Sequence, residues 1–129
     1  MTVALLCTAL LGALIFGLGL GVSLNRQSSK IGIGSPPDPN HPLGKLVRAH
    51  GNAAEYGPIL AVLMIAIASQ GASTWMLWLF VIVTAARYMH AAGMILSADL
   101  NLPHPLRFTG SLLTYLGGFL LSLALLLVI

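Results

Sequence analysis

The chain has very little charge of either sign. It carries three acidic and six basic residues, so charged residues make up 7% of the sequence while apolar residues make up 57%. A soluble domain normally has about a quarter charged residues. This chain therefore cannot cover a water-facing surface, and its composition indicates an integral membrane protein.

Cysteine is nearly absent as well. The single cysteine, Cys7, excludes an internal disulfide and any thiol-rich metal site. We interpret Cys7 as a residue that fills space in an apolar segment. The sequence gives no reason to expect a metal site or a nucleic-acid partner.

Four long apolar segments are present, at about residues 3–24, 43–69, 74–96 and 106–128. Each is long enough to cross a hydrocarbon core of about 30 Å as a helix, whereas barrel strands would alternate and run to about 10 residues. The first segment has no basic n-region and is too long for the apolar part of a signal peptide, so we interpret it as a retained span. We predict one all-α domain over residues 1–129, an integral membrane four-helix bundle.

The basic residues are distributed unevenly around these segments. Arg26, Lys30 and Lys45 lie in or beside the long first loop and Arg107 follows the third loop, whereas the second loop, residues 70–73, has no charge. Loops rich in lysine and arginine stay on the cytosolic side. The sequence therefore predicts cytosolic first and third loops, with both termini on the opposite side.

Polar residues interrupt three of the four segments, all within a few turns of the same predicted membrane surface. Ionisable groups at such depths are costly unless they face a bundle interior or a wet cavity, so they predict a functional site. The set consists of Arg48, Asn52, Glu55 and Tyr56 in the second segment, Arg87 and His90 in the third, and Arg107 with Ser111 in the fourth. The spacing of Arg48, Asn52 and Glu55 places them on one helix face.

The charges of this set suggest the ligand. Three arginines and one glutamate leave a surplus of positive charge, which suits a molecule with two carboxylates and one ammonium group. Arginine binds carboxylates through two parallel hydrogen bonds. Glutathione has this charge pattern, and a nearby cation would also favour its nucleophilic thiolate form.

Structural interpretations of the same residues stay open at this point. Arg48 and Glu55 could form an intrahelical pair joined to Asn52. Arg87 could extend along its helix to the membrane surface together with His90, and Arg107 could be a simple anchor at the cytosolic surface.

The motifs resemble those of a known family, the membrane-associated proteins in eicosanoid and glutathione metabolism (MAPEG). The segment from Arg48 to Pro58 resembles the family signature Arg-x-x-x-Asn-x-x-Glu-x-x-Pro, and the segment from Arg87 to Gly93 is similar to an Arg-x-x-His pattern of its transferase and bacterial branches. The start of the fourth segment, Pro105 to Gly110, resembles the place where the family has its thiol-activating arginine. Arg26 matches an arginine near the end of the first helix. The similarity covers nearly the whole chain.

The resemblance implies a homotrimer, in a bacterial inner membrane, with glutathione bound between subunits near the cytosolic side. Arg107 would be the catalytic residue that stabilises the thiolate. The glutathione contacts implied in the same way are Arg48, Asn52, Glu55, Tyr56, Arg87 and His90, with Arg26 as a weaker one. One departure is that Gly93-Met94-Ile95 stands where several family enzymes have a tyrosine.

Three functions follow as hypotheses. The favoured one is a membrane-bound glutathione transferase, extended to the reduction of lipid hydroperoxides, whose lipophilic electrophile enters from the surrounding lipid. The alternative is a non-catalytic protein of the same fold that binds lipid or serves as a scaffold. A third is a haem-binding bundle with His50 and His90 as axial ligands.

Overall fold

The structure is a computed structural model that describes residues 1–129. It consists of four helices, α1 (Thr2–Ser29), α2 (Pro42–Ser69), α3 (Thr74–Leu96) and α4 (Pro105–Val128), and the prediction of an all-α bundle is confirmed. All four helices are long and apolar enough to cross a membrane. The chain is thus an integral multi-pass membrane protein by the length and composition of its helices.

The loops 30–41 and 97–104 lie at the same end of the bundle, which also carries Arg26, Lys45 and Arg107, and we call it the basic end. Helix boundaries there follow the local sequence. Pro42 and Pro105 occupy the first positions of α2 and α4, where the missing N–H of proline costs nothing. The Nδ1 atom of His41 accepts a hydrogen bond from the Leu43 N–H at 3.1 Å and so caps α2.

The larger apolar core lies toward the end of the bundle opposite the basic end. Cys7 and Leu11 of α1 pack there with Met64 of α2 and Phe80 of α3, and all four side chains are buried. The buried Cys7 agrees with its interpretation as a space-filling residue. This core is free of charged side chains, and those of the helices lie between the middle of the bundle and the basic end.

Helices α3 and α4 approach each other closely at glycines of α4. A Cβ atom on Gly110 would lie 2.6 Å from the backbone nitrogen of His90, and one on Gly117 would collide with Val83. Only glycine allows the two backbones to come this near. In α1 the close contacts involve Gly19 and Gly21, whereas a Cβ atom on Gly17 would have nothing within 4 Å.

Candidate functional site

The deeper of two polar layers is centred on Arg87 of α3, whose side chain is only 2% exposed. Its Nη2 donates hydrogen bonds to both the backbone oxygen and the side-chain Oδ1 of Asn52 in α2. Its Nη1 donates to Thr114 Oγ1 of α4 at 3.3 Å. All three residues lie about 14 Å from the basic end of their helices. One guanidinium therefore connects α2, α3 and α4 at a single depth.

Tyr56 borders this guanidinium and contacts a second tyrosine, Tyr115. Arg87 Cζ lies 5.1 Å from the centre of the Tyr56 ring, close enough for a cation–π interaction. The Tyr56 hydroxyl donates to that of Tyr115 at 3.4 Å, and the two rings meet edge to face with centres 5.7 Å apart. Arg87 Nε is buried without a hydrogen-bond partner, so the donors of the guanidinium are not all used within the chain.

A shallower layer joins His90 of α3 to the first turns of α4. His90 Nδ1 lies 3.0 Å from the backbone oxygen of Arg107 and 2.9 Å from Ser111 Oγ. Ser111 Oγ also donates to the Arg107 oxygen at 2.9 Å. Since that oxygen can only accept, the assignment that satisfies all three atoms has a proton on Nδ1 of His90. The backbone of Arg107 is therefore held by two side chains.

The guanidinium of Arg107 lies at the basic end and is half-buried. Its Nη2 donates to the backbone oxygen of Leu102 in the third loop at 2.8 Å. This hydrogen bond uses one of the five N–H donors of an arginine, which leaves the others for a ligand.

The remaining predicted residues lie elsewhere in the single chain. Arg48 and Glu55 are exposed on α2, in a stripe with Ile59 and Val62. Arg26 is half-buried, and its Nη1 lies 3.5 Å from the backbone oxygen of Ile31. Within one chain the structure brings Arg87 together with Asn52 and Tyr56, and His90 with Arg107, but it does not gather all the predicted residues around one cavity.

The structure also decides between interpretations that the sequence left open. Arg87 and His90 point into the bundle and are buried, so the interpretation that they extend to the membrane surface is wrong. The hydrogen bonds of Asn52 go to Arg87 rather than to a pair of Arg48 and Glu55. His50 packs against Gly19 of α1, whereas His90 contacts α4, so the two histidines do not face each other as axial haem ligands would.

Thr114 and Tyr115 are two site residues that the sequence analysis missed. Thr114 is 2% exposed and its Oγ1 donates to the Gly110 oxygen at 2.7 Å while accepting from Arg87. The available signal was the spacing of small residues in the fourth segment. Gly110, Thr114 and Gly117 recur at helical intervals and form the buried face of α4.

An apolar cavity of about 210 Å³ lies between α2 and α4 and adjoins the deeper polar layer. Leu60, Leu63 and Phe119 contribute most of its apolar lining, whereas Tyr56 and Tyr115 supply hydroxyl groups. Since Tyr56 also borders Arg87, the cavity connects an apolar surface to the buried polar groups. This arrangement suits a lipophilic molecule with one polar end.

Fold and site together define a class: a four-helix membrane protein whose interior carries layered polar groups toward one end. The sequence model of the MAPEG family matches residues 4–127, and the chain belongs to the MAPEG family. This family is generally associated with glutathione. Membership supports a glutathione-transferase or eicosanoid type of function at the level of the family.

Curated relatives match a smaller part of the chain. Two proteins, each named inner membrane protein YecN, come from Escherichia coli strain K12 and from Escherichia coli O6:H1. Each is 44% identical to this chain over 52 residues, which are 40% of this chain and 40% of the relative. The chain thus aligns with two fifths of the length of these relatives. No solved structure matches the chain.

Proposed function

We propose that this protein is a membrane-bound glutathione transferase that works as a homotrimer. Glutathione binds between neighbouring copies near the basic end, and a lipophilic electrophile enters from the bilayer. We also propose that the basic end faces the cytosol and that both termini lie across a bacterial inner membrane. Membership of the MAPEG family supports the class of reaction.

The observation that carries the proposal is the exposure of Arg48 and Glu55 on α2. Glu55 lies about 20 Å along its helix from the basic end, a depth at which a carboxylate facing lipid is costly. The stripe continues through Ile59 and Val62, so the exposed face is mixed rather than uniformly polar. A second copy of the chain packed against this face would remove the charges from lipid and enclose them in an intersubunit site.

The donor set of such a site fits glutathione. Arg48 and Arg107 offer guanidinium donors to its carboxylates and thiol, with Arg26 as an additional cation, and Glu55 offers a carboxylate to its ammonium group. Arg87 has a different part, because its guanidinium is already bonded to Asn52 and Thr114. It fixes Asn52 and Tyr56 for their contacts with the ligand, and His90 fixes the backbone of Arg107.

The chemistry then depends on charge stabilisation at sulfur. The positive charge of Arg107 favours loss of the thiol proton to solvent, and the resulting thiolate is the nucleophile. It attacks the electrophilic carbon, a carbon–sulfur bond forms, and the leaving group departs with its electron pair. With a lipid hydroperoxide the thiolate attacks oxygen instead, and a second glutathione completes the reduction to alcohol, water and glutathione disulfide.

The test is the ultraviolet absorbance of the glutathione thiolate on the purified protein in detergent. The wild type should form thiolate at neutral pH and conjugate a chlorodinitrobenzene-type electrophile with release of chloride. Arg107→Ala should lose both, while Lys30→Gln, which removes another cation at the basic end, should retain both. Thiolate formation by Arg107→Ala would contradict the assignment of Arg107.

The second candidate function is a non-catalytic lipid-binding protein of the same fold. The apolar cavity between α2 and α4 favours it, because the cavity can hold a lipid chain without any reaction at the basic end. Absence of glutathione binding by the wild type, with retention of a fluorescent fatty acid, would support this alternative over the transferase.

A further inference from the structure

The guanidinium of Arg107 is placed by contacts at several points along the residue. Its backbone oxygen accepts from Ser111, and a Cβ atom on the facing Gly93 would lie 2.9 Å from the Arg107 Cα. These contacts fix where the side chain begins. The hydrogen bond from Nη2 to the backbone oxygen of Leu102 fixes the far end of the side chain. The third loop therefore determines the position of the cationic group.

The third loop is in turn fixed by a residue of the first loop. The side-chain Oδ1 of Asn40 accepts from the Leu100 N–H at 2.8 Å, and its Nδ2 donates to Asp99 Oδ1 at 3.0 Å. Asp99 Oδ1 also accepts from the Asn101 N–H at 2.9 Å, and its backbone oxygen accepts from the Leu102 N–H at 3.2 Å. A continuous series of hydrogen bonds therefore leads from Asn40 through Asp99 to Leu102.

The partners of Asn40 use both polar atoms of its amide. The oxygen accepts from a backbone N–H while the nitrogen donates to a carboxylate, and the side-chain amide offers both roles in one planar neutral group. Asn40 is itself held, because its backbone N–H donates to Asp38 Oδ1 at 2.9 Å. The pair of Asn40 and Asp99 joins two loops that are 59 residues apart in the sequence.

We propose that Asn40 and Asp99 are positioning residues that hold the third loop so that the Arg107 guanidinium is aligned with the sulfur of bound glutathione. The inference rests on the proposed function. Neither residue touches the ligand; both act through the Leu102 oxygen. Misplacement of a reacting group by about 1 Å can cost about a hundredfold in rate, so a loop that sets one end of this arginine has a measurable effect on the reaction.

The experiment uses a change and its compensation. Asn40→Asp places a second carboxylate against Asp99 and removes the amide donor. Adding Asp99→Asn to that variant removes the repulsion between the two carboxylates and supplies an N–H donor at position 99. Because Asp99 Oδ1 alone accepts from both Asn40 and Asn101, the exchange restores one of these two contacts rather than both. We expect Asn40→Asp to lower kcat about tenfold or more, to raise the thiol pKa of bound glutathione and to leave the KM for glutathione nearly unchanged, because only alignment is lost. The double variant should recover part of the loss in kcat and part of the change in the thiol pKa, because the two carboxylates no longer repel each other, and Gln27→Ala, an exposed change at the same end, should match the wild type.

The possible results distinguish a failure of this inference from a failure of the proposed function. A wild type that forms no thiolate overturns the proposed function and this inference with it. A wild type that forms thiolate, with an Asn40→Asp variant of lower thermal stability but unchanged kcat and thiol pKa, overturns the inference alone. A double variant no better than Asn40→Asp also contradicts it, because the repulsion between the two carboxylates would then be removed without effect.

Discussion

Arg87 and Asn52 are joined twice, since one guanidinium nitrogen donates to both the backbone oxygen and the side-chain oxygen of the asparagine. The pair lies in the interior, where Thr114 adds a third contact from α4. A buried charge is costly unless its donors are satisfied. The polar layer around Arg87 therefore determines how three helices pack in the half of the bundle nearer the basic end.

Arg87→Met tests this arrangement, because methionine keeps much of the length of the side chain and removes its charge and hydrogen bonds. We expect thermal unfolding in detergent to show a loss on the order of 1.5–3 kcal/mol, the range for hydrogen bonds to a charged group. Arg26→Met is the matched control, since Arg26 has one long contact to a backbone oxygen. Equal changes in the two variants would show that the layer does not stabilise the bundle.

The orientation of α3 could be predicted from the sequence, whereas that of α2 could not. Arg87, His90 and Met94 form one stripe, and ionisable groups at this depth favour the interior of a membrane protein over lipid. In α2 apolar residues occur on both faces, with Ala49, Ala53 and Leu60 on one and Ile59 with Val62 on the other. The helical period places Arg48 and Glu55 on the same face of α2, but it does not decide which face of α2 packs against α1.

The contact between Asn40 and Asp99 is also beyond prediction from one sequence. The two residues belong to different loops, and loops have no hydrophobic period that would align them. Their proximity follows from the packing of α2 against α3, which brings the loop ends together. The hydrogen bond from Lys45 Nζ to the Ser97 oxygen joins the same two regions.

Glu55→Gln tests whether Glu55 binds glutathione in an intersubunit site or is a surface charge without a ligand. If Glu55 accepts from the glutathione ammonium in an enclosed site, the variant should bind glutathione more than about tenfold more weakly. Loss of an exposed ion pair would weaken the binding free energy by only about 0–1 kcal/mol. Isothermal titration of the detergent-solubilised protein measures the difference. Asp38→Asn, an exposed acid in the first loop, should leave the affinity unchanged, and an unaltered affinity in Glu55→Gln would remove Glu55 from the site.

Two glycine-to-alanine substitutions should change the stability of the protein in opposite directions. In Gly110→Ala the new Cβ would lie 2.6 Å from the His90 nitrogen and 2.8 Å from the Ala86 oxygen, so α3 and α4 must separate at a cost of about 1–3 kcal/mol. In Gly12→Ala nothing lies within 4 Å of the new atom, and alanine is the better helix former by about 0.8–1 kcal/mol. Melting temperatures of both variants in the same detergent provide the comparison, and a stabilising Gly110→Ala would contradict the close helix contact.

The carboxyl group of Asp99 should make the stability of the folded protein depend on pH. Its pKa lies below the usual 3.8, first because the Asn101 N–H donates to the carboxylate and then because the Asn40 side chain does. A carboxyl whose pKa is lowered by folding contributes stability that is fully present above the pKa of the unfolded chain and is lost as the pH falls through the folded value. The melting temperatures of the wild type and Asp99→Ala should therefore differ by a constant amount from about pH 5 to pH 8, and the difference should vanish in stronger acid.

The role of Asn40 in this dependence can be measured separately. Asn40→Ala removes one of the three donors that lower the pKa of Asp99, while the N–H and the side-chain amide of Asn101 remain. The pH at which the contribution of Asp99 disappears should then move upward, toward the ordinary range of a carboxyl group, because the charged form has lost a partner. Thermal melts of Asn40→Ala with and without Asp99→Ala, recorded across the acid range, give this midpoint. A midpoint that stays at the wild-type pH would mean that the bond from Asn40 Nδ2 does not persist in the membrane-extracted protein, and the series of hydrogen bonds to Leu102 would then lack its first member.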